Sequence, residues 1–193
     1  MAFVMIIRFD RSNYYDKIEK NLDKYGIRYD CENYTEFNLI DLSLYTHFIL
    51  CGSDTFYVTN GDLVLTKEQI LRLLHTNKPI LASCYGFHLV SYYLCGKDSV
   101  KRLKKKHYGD MYLSSPLVKP DHKYFVNHYN YVSHLDKNWD IITTKLYRDG
   151  DGLDKTIIID AVMKEYPLLG VQYHPESTVS NSEYMKQWVY DEF

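Results

Sequence analysis

Short apolar runs alternate with segments of helical period along the first half of the chain. Residues 2–7 read as a buried first strand, and 14–25 as a helix with Ser12 placed to cap it and Gly26 to end it. Residues 27–31 and 46–51 read as the next two strands, the latter breaking at Gly52-Ser53-Asp54. Thr66 opens a helix whose apolar side is Ile70, Leu71, Leu73 and Leu74, with Gln69 in the capping-box position. Residues 79–83 form a further strand, and 87–94 a helix directly behind it. Strands alternating with helices predict βαβ units, hence an α/β fold of three layers with a mainly parallel sheet flanked by helices.

Beyond Gly96 the pattern shortens to β-like pieces at 112–113, 124–126, 131–133, 141–144, 156–162 and 168–173, closed by a helix over 182–190. No internal repeat, low-complexity tract or linker interrupts the chain, so residues 1–193 are expected to form a single domain. The basic run Lys101-Arg102-Leu103-Lys104-Lys105-Lys106 is read as a solvated loop, or an edge strand kept from aggregating by its lysines. An anion-binding patch is the competing reading.

Composition changes this picture little. Hydrophobic residues at 46% and charged residues at 25% are ordinary for a globular chain and argue against disorder. A net charge of −2 gives no reason to expect a nucleic-acid partner. The 20 tyrosines are spread throughout instead of forming a stacking platform. The four cysteines show no C-x-x-C pair and no zinc-like spacing with histidine, so no metal or cofactor is expected. With no signal peptide and no membrane-spanning run, a reducing, cytoplasmic compartment is the expectation, with no membrane partner.

Candidate chemistry lies at two strand ends. Pro79-Ile80-Leu81-Ala82-Ser83-Cys84-Tyr85-Gly86 is an apolar run that stops at a thiol and a glycine before a helix. Such a turn presents its side chain outward and aims the first helix N–H groups at what it attacks. Leu168-Leu169-Gly170-Val171-Gln172-Tyr173-His174-Pro175-Glu176 ends a second strand in an imidazole followed by a carboxylate, their directions restricted by the proline. Imidazole can take a thiol proton while a carboxylate on its other nitrogen selects the tautomer, so Cys84, His174 and Glu176 are the candidate nucleophile, base and orienter. Taken singly, Cys84 reads as a small buried hydrophobe and His174 as a structural histidine. Both falling at carboxyl ends of strands favours the functional reading. The backbone N–H of Tyr85, with a second from the Gly52 turn, is the candidate oxyanion hole.

These segments together resemble the class I glutamine amidotransferases. The likeness runs from Leu50-Cys51-Gly52 through Cys84-Tyr85-Gly86 to His174-Pro175-Glu176, with Gly96, Val100, Arg102 and His107-Tyr108-Gly109 as further landmarks. It implies a flavodoxin-like domain in which Cys84 forms a γ-glutamyl thioester from glutamine or another γ-glutamyl compound. It also implies main-chain donors near Gly52 or Ser53 and at Tyr85, and a glutamate pocket lined by Asn127, Tyr129 and Asn130. The position four residues after the cysteine, usually glutamine, is His88, expected to hydrogen-bond the substrate's carboxylate end. Ser53-Asp54 replaces a glycine–proline turn, and Tyr129 stands where glycine is common and would narrow the pocket. No synthase domain follows residue 193, so ammonia is expected to pass to a separate synthase chain. A stand-alone γ-glutamyl hydrolase or peptidase, and a non-catalytic relative keeping the fold, are the other readings.

Overall fold

In the computed structural model residues 1–11, 14–113, 115–117, 123–177 and 182–190 are described. The chain runs β1 (Phe3–Arg8), α1 (Tyr14–Lys24), β2 (Arg28–Asn33), β3 (His47–Leu50), α2 (Lys67–Leu74), β4 (Ile80–Ser83) and α3 (Tyr85–Cys95). It continues with β5 (Val100–Tyr112), β6 (Lys123–Val132), β7 (Trp139–Arg148), β8 (Asp154–Met163), β9 (Leu168–Val171) and α4 (Ser182–Val189). Ser12, the expected cap of α1, lies outside the described residues.

Seven strands form one sheet in the order β2-β1-β3-β4-β9-β8-β7. The pairs from β2 to β9 are parallel, while β9–β8 and β8–β7 are antiparallel. The alternation of strand side chains divides the core in two. Met5, Ile7, Phe48, Leu50, Ile80 and Ala82 face the side covered by α2 and α3. Val4, Ile6, Ile49, Leu81, Leu169 and Val171 face the side covered by α1 and α4. Central strands buried on both faces must be apolar at every position, as β3, β4 and β9 largely are.

α2 begins as its sequence directs. Thr66 Oγ1 accepts from the Gln69 N–H, and the Gln69 side chain accepts from the Thr66 N–H at 2.8 Å.

In the second half the basic run is an edge strand, the second of its two expected forms, and not a loop. It lies inside β5, which pairs antiparallel with β6 as a separate two-stranded ribbon. The pieces expected at 112–113, 124–126 and 131–133 are portions of these longer strands or adjoin them. Register shifts between Arg102 and His107. There the Asp149 carboxylate accepts the N–H groups of Lys104 and Lys105, each at 2.9 Å. That bulge interrupts the period-2 pattern that would have announced a strand.

Candidate active site

Three adjacent strands deliver the expected site residues. In the order β3-β4-β9, the carboxyl ends carry Gly52, Cys84 and His174. Parallel strands paired in register (Leu50 with Ala82, Ser83 with Val171) bring their C-terminal ends to one edge, where open α/β sheets form a crevice.

Cys84 is held at φ 48° and ψ −106°. Asn77, the other non-glycine residue at positive φ among the described residues, is of a type that tolerates it; cysteine is not. A conformation costing about 1–3 kcal/mol persists only where its surroundings fix it. Here the Cys84 N–H donates to Val171 O at 2.8 Å, and the Gly86 N–H to Cys51 O at 3.0 Å. Gly86 permits this because a Cβ there would stand 2.5 Å from Leu50 O. The positive-φ residue itself caps α3, so the helix starts at Tyr85, two residues earlier than the apolar pattern indicates.

His174 is fixed from two directions. Its N–H donates to Phe125 O on β6 at 2.9 Å, and its Nδ1 meets Glu176 Oε1 at 2.9 Å. The turn at Pro175 is closed by the Ser177 N–H on His174 O at 3.1 Å. Cys84, His174 and Glu176 are 2%, 1% and 4% exposed, so the three groups interact in a dry environment. Burial opposes charge on the His174 imidazole. The Glu176 carboxylate and the nearby Cys84 sulfur outweigh it and hold the imidazole well above its usual range. The Cys84 thiol itself donates to Asn127 O at 3.9 Å.

Gly52 completes the contact. A Cβ at this position would lie 2.7 Å from His174 Cε1 and 3.4 Å from Cys84 Cβ, so glycine is required by space. The main-chain N–H groups of Gly52, Ser53 and Tyr85 have no acceptor among the described residues. The loop that carries the first two is pinned by groups that sequence reading missed. Asp10 Oδ2 accepts from Ser53 Oγ at 2.6 Å and from the Asp54 N–H at 2.7 Å. Tyr15 OH reaches Gly52 O at 3.2 Å. Ser53 Oγ accepts from the Phe56 N–H at 2.9 Å. The departure Ser53-Asp54 is thus a side-chain-braced loop in place of a glycine-rich one.

The pocket beside Cys84 is a narrow void of about 10 Å³, room for about one water, bordered by Tyr57, Cys84, His88, Asn127, Tyr129 and Asn130 among others. All four residues expected to bind substrate line it, yet several of their polar groups already have protein partners. His88 Nε2 is paired with Gln172 Oε1 at 2.9 Å. Asn130 accepts from the Thr59 N–H and donates to Thr59 Oγ1. Asn127 donates to Asp54 Oδ1 at 2.7 Å, so the Asp54 carboxylate is tied across the pocket. Tyr129 borders the void, packed edge-on against Tyr57 with ring centres 5.9 Å apart.

Burial pushes the His88 imidazole down to about 4, so it is neutral at pH 7. A neutral ring forms a weaker bond to a carboxylate than the charged group would. Because the folded protein favours neutral His88, the stability it contributes is present above the unfolded value of 6.5 and lost as pH falls toward 4. The shift corresponds to about 3 kcal/mol at full protonation. Urea denaturation at about pH 4.5 against pH 7 is expected to show much of this loss. In His88→Gln the loss is smaller, with the remainder assigned to buried His107 and His128, which are held down in the same way.

Among the described residues, no helix is long and apolar enough to cross a membrane, and no cluster of three or more His, Cys, Asp or Glu could hold a metal ion.

Comparison with known proteins agrees with the geometry. The chain resembles a putative GMP synthase subunit protein from Thermoplasma acidophilum, with a TM-score of 0.74 at 14% identity over 100% of this chain and 96% of that one. It resembles a glutamine amidotransferase from Thermotoga maritima, with a TM-score of 0.67 at 18% identity over 99% of this chain and 83% of that one. PurLQS from Thermotoga maritima matches with a TM-score of 0.67 at 13% identity over 99% of this chain and 98% of that one. At such identities the likeness establishes the fold, a mostly parallel sheet flanked by helices. No curated protein sequence matches the chain. The family model for glutamine amidotransferase class-I matches residues 12–191, and with nearly the whole chain inside that match the protein belongs to the class I glutamine amidotransferase family.

Proposed function

We propose that this protein releases ammonia from glutamine through a γ-glutamyl thioester on Cys84 and passes it to a separate synthase chain. The observation that carries the reading is the convergence of Cys84, held at positive φ, and a hydrogen-bonded His174–Glu176 pair around Gly52 at neighbouring strand ends.

The Cys84 thiolate attacks the side-chain amide carbon, and the oxyanion forms against main-chain N–H groups of the Gly52–Ser53 loop and Tyr85. His174, protonated, gives its proton to the departing nitrogen as the C–N bond breaks. Water then attacks the thioester with His174 as base, releasing glutamate and restoring the thiolate. Glu176 holds the imidazole in the tautomer that presents Nε2 to sulfur and balances its charge. Each oxyanion donor of this type is worth about 2.7–4 kcal/mol of barrier. Delivery to another chain is supported by the likeness to a protein named for a synthase subunit.

The narrow void with His88 and Tyr129 in its wall favours one second reading, hydrolysis of another γ-glutamyl compound by the isolated chain. Incubation with glutamine and with γ-glutamyl peptides, measuring ammonia and glutamate, separates the two. Glutamine turnover, alone or on addition of cell extract, is the expected result, and Cys84→Ser is expected to abolish it with the fold retained. Turnover of peptides but not glutamine would establish the second reading. Full activity in Cys84→Ser would overturn both.

A further inference from the structure

The polar side chains around the void are largely committed to the protein itself. His88 is bonded to Gln172, and both ends of the Asn130 amide to Thr59. Ser53 donates to Asp10, and Tyr85 OH to Asp62 O. The Asn127 amide nitrogen donates to Asp54. An amino-acid substrate nevertheless brings a carboxylate that must leave water as it enters, at a cost of several kcal/mol unless a partner meets it.

One cation stands over the pocket wall. The Arg102 guanidinium lies 5.3 Å from the ring centre of Tyr57 and 5.0 Å from that of Tyr129, two aromatic residues that border the void from the loop after β3 and from the ribbon. One of its nitrogens donates to Asn60 Oδ1 at 3.0 Å, and no carboxylate pairs with it among the described residues. Five N–H donors with one bond made leave a planar fork for an anion. Stacking on two rings holds that fork in place, a role lysine fills poorly. Lys106 approaches Tyr129 as well, 5.8 Å from its ring centre, and adds positive potential. The bulge after Arg102 separates these two cations along β5 while keeping both beside Tyr129.

Resting on the proposed function, we infer that Arg102 is a specificity-determining residue, the group that recognises the free α-carboxylate of the γ-glutamyl substrate at the mouth of the pocket. The site then admits free glutamine or a γ-glutamyl compound with an open α-carboxylate, and rejects glutamine whose α-carboxyl is amidated or lies within a peptide bond. A charge-assisted pair of this kind is worth about 10- to 100-fold in affinity.

The test is calorimetric binding to the full chain carrying Cys84→Ala, so that nothing is turned over, with L-glutamine and its α-carboxamide as probes. The parent is expected to prefer glutamine. Adding Arg102→Met is expected to weaken glutamine about 10- to 100-fold while changing the carboxamide about twofold at most, so that discrimination disappears. Arg102→Lys is expected to retain part of it. If Arg102 merely braced Tyr57 and Tyr129, both probes would weaken alike, and that result overturns the inference. So does unchanged discrimination in Arg102→Met, or a parent that does not distinguish the probes. The two levels separate cleanly. Loss of discrimination with no turnover by the unsubstituted protein defeats the proposed reaction and keeps the carboxylate site; turnover with discrimination unchanged does the reverse.

Discussion

Replacing Gly52 by alanine is expected to lower turnover about 100-fold or more while costing only about 1–3 kcal/mol of stability. The new methyl group would stand 2.7 Å from His174 Cε1, closer than carbon atoms can approach. Something must shift, and the choices are few. The imidazole is held through Nδ1 by Glu176 and through its own main chain by Phe125. The Gly52 loop is anchored by Tyr15 on its carbonyl and by Asp10 one residue on. Cys84 Cβ at 3.4 Å closes the remaining direction. A displacement of even part of an ångström between sulfur and imidazole, with the oxyanion N–H groups moved as well, disturbs both proton transfer and charge stabilisation. Steady-state kinetics beside urea denaturation measures the split. Loss of activity in proportion to loss of folded protein would show that Gly52 serves packing alone.

The Glu176→Gln variant is expected to reduce turnover by about 10²- to 10⁴-fold with little change in fold. The amide can keep a hydrogen bond to Nδ1 but supplies no charge. Burial alone would depress the His174 imidazole; Glu176 and Cys84 reverse the direction. Without the carboxylate the ring falls back, and the proton donor beside Cys84 is lost. A histidine raised in the folded state contributes stability that is fully present below its unfolded value of 6.5, and that is lost as pH rises through its folded value. Denaturation of the Glu176→Gln protein is therefore expected to lose this part of the pH dependence. Rates of Cys84 alkylation give an independent reading, with slower modification expected in the variant.

Local chemistry wrote the clearest parts of the sequence. Thr66 and Gln69 lie three positions apart and satisfy each other, so the start of α2 is visible without tertiary knowledge. The apolar blocks of β3, β4 and β9 announce buried parallel strands, and the residues that follow each block mark the crevice. What stayed hidden depends on distant partners. Asp10 braces Ser53 across 43 positions, and Gln172 meets His88 across 84. No local period records either contact. The basic segment left loop and edge strand open for a related reason: its strand is bulged, and its bulge is closed by Asp149, 45 positions from Lys104. In the sequence Arg102 is one charge among several; only the fold sets it against Tyr57 and Tyr129.

The proposed reaction depends on the sulfur of Cys84 being activated within the pocket that would hold the glutamyl group. The most direct measurement is peptide mass spectrometry after brief treatment with a glutamine-like chloroketone, in the unsubstituted protein and in His174→Gln. The expected result is a single adduct on Cys84, forming about 100-fold faster in the unsubstituted protein, with Cys31, Cys51 and Cys95 untouched. Equal rates in the two proteins, or labelling that spares Cys84 while reaching the other three, would contradict it.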